Sequence, residues 1–154
     1  MGNPNRAIGL RTSAAAAGAP YWQLLRGLTD PILTPKVFCV SVTLVTAVET
    51  ELLLIKSATL GTPSATNLAN RLDYLGAGDI RNGRVAMAWS AAPTIGAATD
   101  ALARVVLPAQ IGASVTWEFQ DGALEVDDGE SLLLWNNSVG AGAVLDVTCI
   151  YEGN

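Results

Sequence analysis

The sequence has 154 residues, of which 50% are hydrophobic and 15% are charged, with a formal net charge of −5 and no histidine. This length suits one domain with a sizeable core, and the high apolar fraction indicates that neighbouring chains cover part of its surface. The apolar runs are too short to span a bilayer. The lack of histidine excludes Ser-His-Asp and Cys-His catalysis.

The composition of residues 1–35 predicts an extended, irregular N-terminal arm. The segment contains four prolines and four glycines, and proline blocks both strand ladders and helix interiors. Its charges up to residue 29 are all basic, whereas eight acids and no Lys or Arg follow Arg104. An arm of this kind is suited to an acidic partner surface, including that of a neighbouring copy. The predicted partner-binding residues are Arg6, Arg11, Tyr21, Trp22 and Arg26.

Tyr21 and Trp22 are the predicted anchors of this arm, because two large aromatic side chains between prolines fill a pocket well. The first residues also resemble a myristoylation signal, but Arg6 stands where Ser or Thr is needed. We find no convincing targeting segment, and we expect a protein made in the cytoplasm and not exported.

From residue 36 onward apolar and polar residues alternate with a period of two, which indicates β-strands. In the first strand Phe38, Val40, Val42 and Leu44 share one face, and Trp117 lies in a later apolar row that we expect to be buried. Turns are signalled by glycine next to Asn or Asp. The predicted strands lie in segments 36–47, 50–58, 84–90, 101–108, 114–120, 123–126, 130–136 and 143–152.

The segment between the second and third predicted strands breaks this pattern. A short helix is expected within residues 65–75, inside a long crossover loop. Eight short strands with regular turns favour a β-sandwich, and eight strands fit a jelly roll. The predicted fold is therefore all-β: an eight-stranded jelly-roll-like β-sandwich over residues 36–154, preceded by the irregular arm over residues 1–35.

The two cysteines test this fold. In a jelly roll the strand with Cys39 pairs with the strand with Cys149. Cys39 lies opposite the apolar row of its strand, whereas Cys149 belongs to the apolar row of its own strand. The thiols then face opposite sides of the sheet, so we expect no disulfide.

Acidic residues form the remaining candidate sites. Asp127, Asp128 and Glu130 share one turn and carry oxygens suited to calcium, but the spacing is not that of an EF-hand, and solvated carboxylates are the favoured interpretation. Glu49 and Glu51 flank another turn and resemble glycosidase acids only if a cleft brings partners close. We expect no catalytic residues, no metal and no cofactor.

The last third of the chain carries a family resemblance. The stretches VVLPAQIGASVTWEF, DGESLLLWN and AVLDVTCIYE resemble the C-terminal half of small virion structural proteins of tailed bacteriophages, among them jelly-roll capsid decoration (cement) proteins. The early RAIGLRTSAAAAGAP is similar to the arms that precede such domains. The resemblance implies a non-enzymatic protein on the outer surface of the phage head. It also implies a homotrimer that binds the major capsid protein and neighbouring copies of itself.

An alternative function stays open. A tail-tip or fibre-type module would bind a host surface glycan or protein and would occur in few copies per particle. The predicted arm favours the capsid role, because host-binding modules commonly follow a trimeric stalk and this chain has no heptads. We expect no nucleic acid, membrane or small-molecule substrate as partner in either case.

Overall fold

The computed structural model describes residues 5–26, 32–44, 49–68, 70–71, 83–120 and 123–153. Within these ranges the chain is nearly all-β, as predicted, and its only helical element is a 3-10 turn at Ala98–Asp100. The strands are β1 (Asn5–Arg11), β2 (Ala19–Leu25), β3 (Leu33–Leu44), β4 (Thr50–Lys56), β5 (Thr62–Pro63), β6 (Asn67–Leu68), β7 (Asn70–Arg71), β8 (Arg84–Ala86), β9 (Trp89–Ala91), β10 (Ala103–Leu107), β11 (Ser114–Glu118), β12 (Ser131–Asn136) and β13 (Val144–Gly153).

These strands form two large antiparallel sheets that pack face to face as a β-sandwich. Sheet A has the order β11-β3-β13-β1-β7, and sheet B has the order β10-β4-β12-β2-β8-β6. The short strands β5 and β9 pair with each other in a third, two-stranded sheet. Residues 57–102, which connect β4 to β10, thus hold all of the short strands and form a long insertion.

The core lies between the two sheets and follows from the alternation along each strand. In β3 the side chains of Phe38, Val40 and Val42 are buried, as predicted from their shared face, whereas Leu44 at the end of the strand is 61% exposed. Leu132 and Leu134 of β12 meet them from sheet B in the same apolar cluster. Burial of apolar area of this kind is the main stabilising contribution in a sandwich.

The first 35 residues differ from the prediction: the described part of the segment is not an irregular arm. Strand β1 lies between β13 and β7, and β2 lies between β12 and β8, so both are inner strands of the sandwich. Their side chains Ile8, Trp22 and Leu24 belong to the main core cluster. A boundary between an arm at 1–35 and a sandwich at 36–154 does not follow the packing of these strands.

The prolines of the segment explain why the prediction was wrong. Pro20 lies in β2 opposite Trp135, at the point where the register with β12 shifts. Pro35 lies in β3 opposite Tyr151, where the register with β13 also shifts. A bulge leaves one residue without a regular ladder partner, and proline is tolerated in sheets at such positions. The prolines thus interrupt the pairing locally without ending either strand.

The bulge in β2 also directs two consecutive aromatic side chains into the core. Tyr21 and Trp22 are 2% and 0% exposed and belong to the same cluster. Trp22 contacts Phe38 of the facing sheet with ring centroids 4.9 Å apart and an interplanar angle of 85°. The Tyr21 hydroxyl donates a hydrogen bond of 2.6 Å to the carbonyl oxygen of Ala143. These contacts link β2 to β3 and to the start of β13.

Other predictions of local structure had mixed outcomes. The cysteine prediction is confirmed: β3 pairs with β13, both thiols are free, and Cys149 is buried while Cys39 is only half-buried. The helix expected within 65–75 is wrong for the residues described there, which form β6 and β7, and the rest of it lies outside the described residues. The expected strand at 123–126 is reduced to one bridge between Val126 and Leu33.

Removing the Trp22 side chain should strongly destabilise the sandwich. Trp22→Ala leaves a cavity between the two sheets, and large-to-small changes of buried aromatics cost about 3–5 kcal/mol. Deletion of residues 1–30 removes two inner strands and should abolish cooperative unfolding altogether. Denaturant unfolding measures both effects. Arg11→Ala is the control in the same segment, and its midpoint should stay near that of the unmodified chain. A truncated chain that unfolds cooperatively would show that β1 and β2 are dispensable.

Gly142 should tolerate no side chain. A Cβ there would lie 1.9 Å from the Tyr21 hydroxyl oxygen and 3.1 Å from the Thr50 Cγ2, so the hydroxyl would lose its place against Ala143. Gly142→Ala should therefore cost about 1–3 kcal/mol, as overpacking does. Gly140→Ala is the matched control, because a Cβ at Gly140 meets no atom within 4 Å. Equal unfolding midpoints for the two variants would contradict this packing.

Stability should fall in alkaline solution through Tyr21. Burial raises the pKa of Tyr21 from 10.0 to about 12, and a main-chain hydrogen bond with Ala15 opposes this rise. The folded chain holds the phenol proton more tightly than the unfolded chain, so this stabilisation is complete below pH 10 and is lost as the pH rises through about 12. Unfolding midpoints measured between pH 9 and 12 should fall less steeply for Tyr21→Phe than for the unmodified chain. Identical slopes would contradict the assignment.

Candidate interaction surfaces

The predicted aromatic anchors are not on the surface. Because Tyr21 and Trp22 fill the space between the two sheets, a partner reaches them only if the core opens. Their predicted role as partner contacts is therefore wrong for this fold. Two adjacent aromatic residues do indicate a buried anchor, but the site into which they insert is the core of their own chain.

Two of the three predicted arginines, Arg11 and Arg26, form ion pairs within the chain. Arg11 donates from Nε and Nη2 to the two carboxylate oxygens of Asp146, at 2.8 and 3.0 Å, on the outer face of sheet A. The hydrogen bond from Arg11 lowers the pKa of Asp146. Arg26 pairs with Asp127. Arg6 lies in β1, and its side chain is outside the description. Partner binding by these three arginines stays a prediction.

The acidic C-terminal half and the basic beginning of the chain thus meet inside one subunit. Two further pairs join the halves: Lys36 with Glu152 at 2.7 Å, and Lys56 with Glu130 at 2.8 Å. These pairs follow from the register, because strands near the two ends of the chain are neighbours in the sheets. The asymmetry of charge along the sequence is therefore partly neutralised within the fold.

The outer face of sheet B is covered by the insertion. Leu53, Ile55, Leu133 and Trp135 form a second apolar cluster on that face, and side chains near the 3-10 turn, Ile95 among them, pack against it. The two-sided burial explains why all six residues of β12 are buried. The residues around the 3-10 turn thus act as a cover for this part of sheet B.

A buried polar group fixes the same cover. Gln23 of β2 is fully buried, and its Oε1 accepts a hydrogen bond of 2.7 Å from Trp89 Nε1. Its Nε2 donates to the carbonyl oxygen of Leu60 at 2.9 Å and to Ser131 Oγ at 2.8 Å. Each of these bonds compensates the cost of burying the amide. The role of Gln23 is not visible in the sequence, because a single glutamine among apolar residues carries no periodic signal.

The outer face of sheet A is different, because small polar side chains dominate it. One row across the strands runs Thr116, Cys39, Thr148 and Gly9. Thr116, Thr148 and Gly9 are exposed and Cys39 is half-buried. This face is therefore shallow and polar, with the Arg11–Asp146 pair beside it.

The side of the sandwich formed by β10 and β11, here called the β10–β11 side, is apolar and open. Within the described ranges β10 pairs with β4 alone and β11 with β3 alone, so both are edge strands. Val105 and Trp117 point toward the core but are only partly buried, contrary to the burial predicted for Trp117. Val106 and Ile111 are 51% and 66% exposed. Exposed apolar groups on an edge strand and in the turn that follows it are typical of a contact surface.

An acidic groove adjoins this side. It has a volume of about 500 Å³ and is lined by Glu49, Glu51, Val106, Asn137, Ser138 and Val139. The hydroxyl of Ser138 accepts a hydrogen bond of 2.7 Å from the backbone N–H of Glu51. Arg104 lies beside the groove, where its Nη1 is 3.9 Å from a Glu51 oxygen and its Nη2 donates to the Ala98 carbonyl oxygen. The groove thus offers carboxylates next to an apolar wall.

The acidic turn of residues 127–130 is stabilised by a cation of the chain. Glu130 accepts hydrogen bonds from Lys56 Nζ at 2.8 Å and from the backbone N–H of Asp127 at 3.2 Å. The bond from Lys56 lowers the pKa of Glu130. Among the residues that the structure describes, no group of three or more His, Cys, Asp or Glu side chains is arranged to hold a metal ion.

Comparisons with known proteins give no family for this chain. No protein-family model matches the sequence, and no curated protein matches it. A search of the described residues also finds no helix with the length and apolar character needed to cross a membrane. The likeness to phage structural proteins stays a resemblance carried by the last third of the sequence.

Proposed function

We propose that the protein is a non-enzymatic structural component of a tailed-phage virion. In this proposal it is a decoration, or cement, protein on the outer surface of the head, made in the host cytoplasm. It binds the major capsid protein and neighbouring copies of itself, and so stabilises the capsid lattice. Neither a metal nor a cofactor takes part.

The observation that carries the proposal is the order of the eight strands outside the insertion. Along the chain these strands alternate between the sheets, except that β4 and β10 follow one another within sheet B; β1, β3, β11 and β13 thus lie in sheet A while β2, β4, β10 and β12 lie in sheet B. Their orders are β1-β13-β3-β11 and β2-β12-β4-β10. Two four-stranded sheets wound in this way are what a jelly roll of two Greek keys requires. In our proposal the supposed arm supplies its first two strands.

A fold by itself does not determine function, so the surface must support the same role. Lattice-binding proteins gain affinity from apolar area that another chain covers. The exposed side chains of Val106, Ile111 and Val139 provide such area on the β10–β11 side and at the adjoining groove. Attachment in this proposal uses surfaces of the folded sandwich, since Tyr21 and Trp22 are in its core.

Co-sedimentation of the purified protein with phage heads assembled without it tests the proposal. Binding should saturate at hundreds of copies per head, and chelator should change neither the binding nor the melting temperature. Saturation at a handful of copies would favour the tail-tip or fibre-type module instead. Absence of binding at micromolar protein concentration would contradict the capsid role.

Arg11 can be tested in the same assay. If the guanidinium contacts the head, Arg11→Ala should weaken binding at low salt and have little effect at high salt, because salt screens exposed charges. Thr148→Ala is the control, since Thr148 lies on the same face and carries no charge. Equal binding of the two variants at low salt would show that Arg11 does not contact the head.

A further inference from the structure

We propose that β10 is a self-association strand, which pairs antiparallel with β10 of a second copy about a two-fold axis through Val105. Sheet B then continues from one chain into the next. The proposal names the partner of the β10–β11 side. It deepens the self-association in the proposed function but does not depend on the virion role.

The outer edge of β10 is open to a further strand. Strand β10 ends sheet B, and within the described residues only β4 pairs with it. An edge strand presents backbone N–H and C=O groups on its outer side, and extended chain satisfies them best. Chains commonly protect such edges with charged side chains, above all lysine, with proline or with a bulge. The five residues of β10, ARVVL, contain no lysine or proline and one charged residue, Arg104, and their pairing with β4 is regular from Ala103 to Leu107.

The second step is the register. Ala103, Val105 and Leu107 face the core, whereas Arg104 and Val106 face outward. Residues directly opposite each other in an antiparallel pair lie on the same face of the sheet. The register that pairs all five residues therefore sets Val105 opposite its own copy and Arg104 opposite Val106. A register displaced by two residues sets Arg104 opposite Arg104 of the second copy. Repulsion between the two like charges disfavours that register.

The third step is the charge on the outward face. Within one chain Val106 is the cross-strand neighbour of Glu51 in β4. Arg104 of one copy thus extends across Val106 of the second copy toward that copy's Glu51. Adjacent strands are about 4.8 Å apart, so Arg and Glu side chains span two strand spacings between them. The acidic groove lined by Glu49 and Glu51 lies at this point and receives the guanidinium.

The match is reciprocal, as a two-fold contact requires. The same patch serves on both chains, so the Arg104–Glu51 contact occurs twice. Val106, which is 51% exposed, becomes covered by the Arg104 stem, and Val105 and Trp117 come to lie beside the second sandwich. This contact closes at two chains, whereas a trimer needs one patch to meet a different patch. The edge therefore favours a dimer over the trimer implied by the family resemblance.

Complementary charge variants test the pairing. Arg104→Glu sets carboxylates against Glu51 of the second copy, and Glu51→Arg sets two cations together, so each variant alone should have the 16.0 kDa mass of one chain. Mixed in equal amounts, the two variants should form a species of twice that mass, because both contacts between unlike chains are again attractive. The unmodified protein should also show twice the mass. Sedimentation or light scattering at micromolar concentration measures these masses.

The mixture distinguishes contacts between chains from contacts within a chain. Each variant has the same altered contacts within its own chain whether it is alone or mixed, so a doubled mass seen only in the mixture must come from contacts between chains. Leu60→Lys, at an exposed apolar position of the insertion, is the control and should keep the doubled mass. An unmodified chain that stays at 16.0 kDa, or variants that each retain the doubled mass, would overturn the pairing. A mass of three chains that is unchanged in both variants would also overturn the pairing. A monomer that still co-sediments with heads would overturn the pairing and leave the virion role standing.

Discussion

The contact between Trp22 and Phe38 is the constraint on which the rest of the sandwich depends. Each ring belongs to an inner strand of a different sheet, and both side chains are fully buried. Their perpendicular arrangement, with centroids 4.9 Å apart, is a favourable geometry for an aromatic pair. Because Trp22 lies in the first 25 residues, the chain completes neither sheet without its N-terminal segment. The core and the supposed arm are therefore one structure.

The fold could be predicted where a strand alternates regularly, and this is why the segments around Phe38, Leu132 and Leu145 were identified correctly. The N-terminal strands could not be identified in the same way, because their prolines were counted as interruptions. Pro20 and Pro35 lie at register shifts, and a shift depends on a partner strand that is remote in sequence. Local composition carries no information about that partner. The helix expected within 65–75 is wrong at the described residues of that segment for a related reason, since helical spacing over one or two turns competes with pairing to distant strands.

The insertion divides the surface into regions of different character. By covering the outer face of sheet B it buries Leu133 and Trp135, and the hydrogen bonds of Gln23 hold it in place. The outer face of sheet A keeps small polar side chains and the Arg11–Asp146 pair. Open apolar groups then remain at the β10–β11 side, where both sheets end. Among the described residues, Val106 and Ile111 thus lie exposed next to the last strand of each sheet.

The candidate surface was harder to predict than the fold because it depends on which strand ends each sheet. Alternation in SVTWEF correctly directs Trp117 toward the core, yet it does not reveal that, within the described residues, β11 is the last strand of its sheet. The side chain is only partly buried for that reason. The partners of charged residues were also not predictable from the sequence. The excess of basic residues at the start of the chain indicated an acidic partner, and Arg11 and Arg26 find carboxylates within their own subunit. Arg104, farther along the chain, is held less closely by a carboxylate: its Nη1 is 3.9 Å from a Glu51 oxygen and its Nη2 donates to the Ala98 carbonyl oxygen, beside an acidic groove.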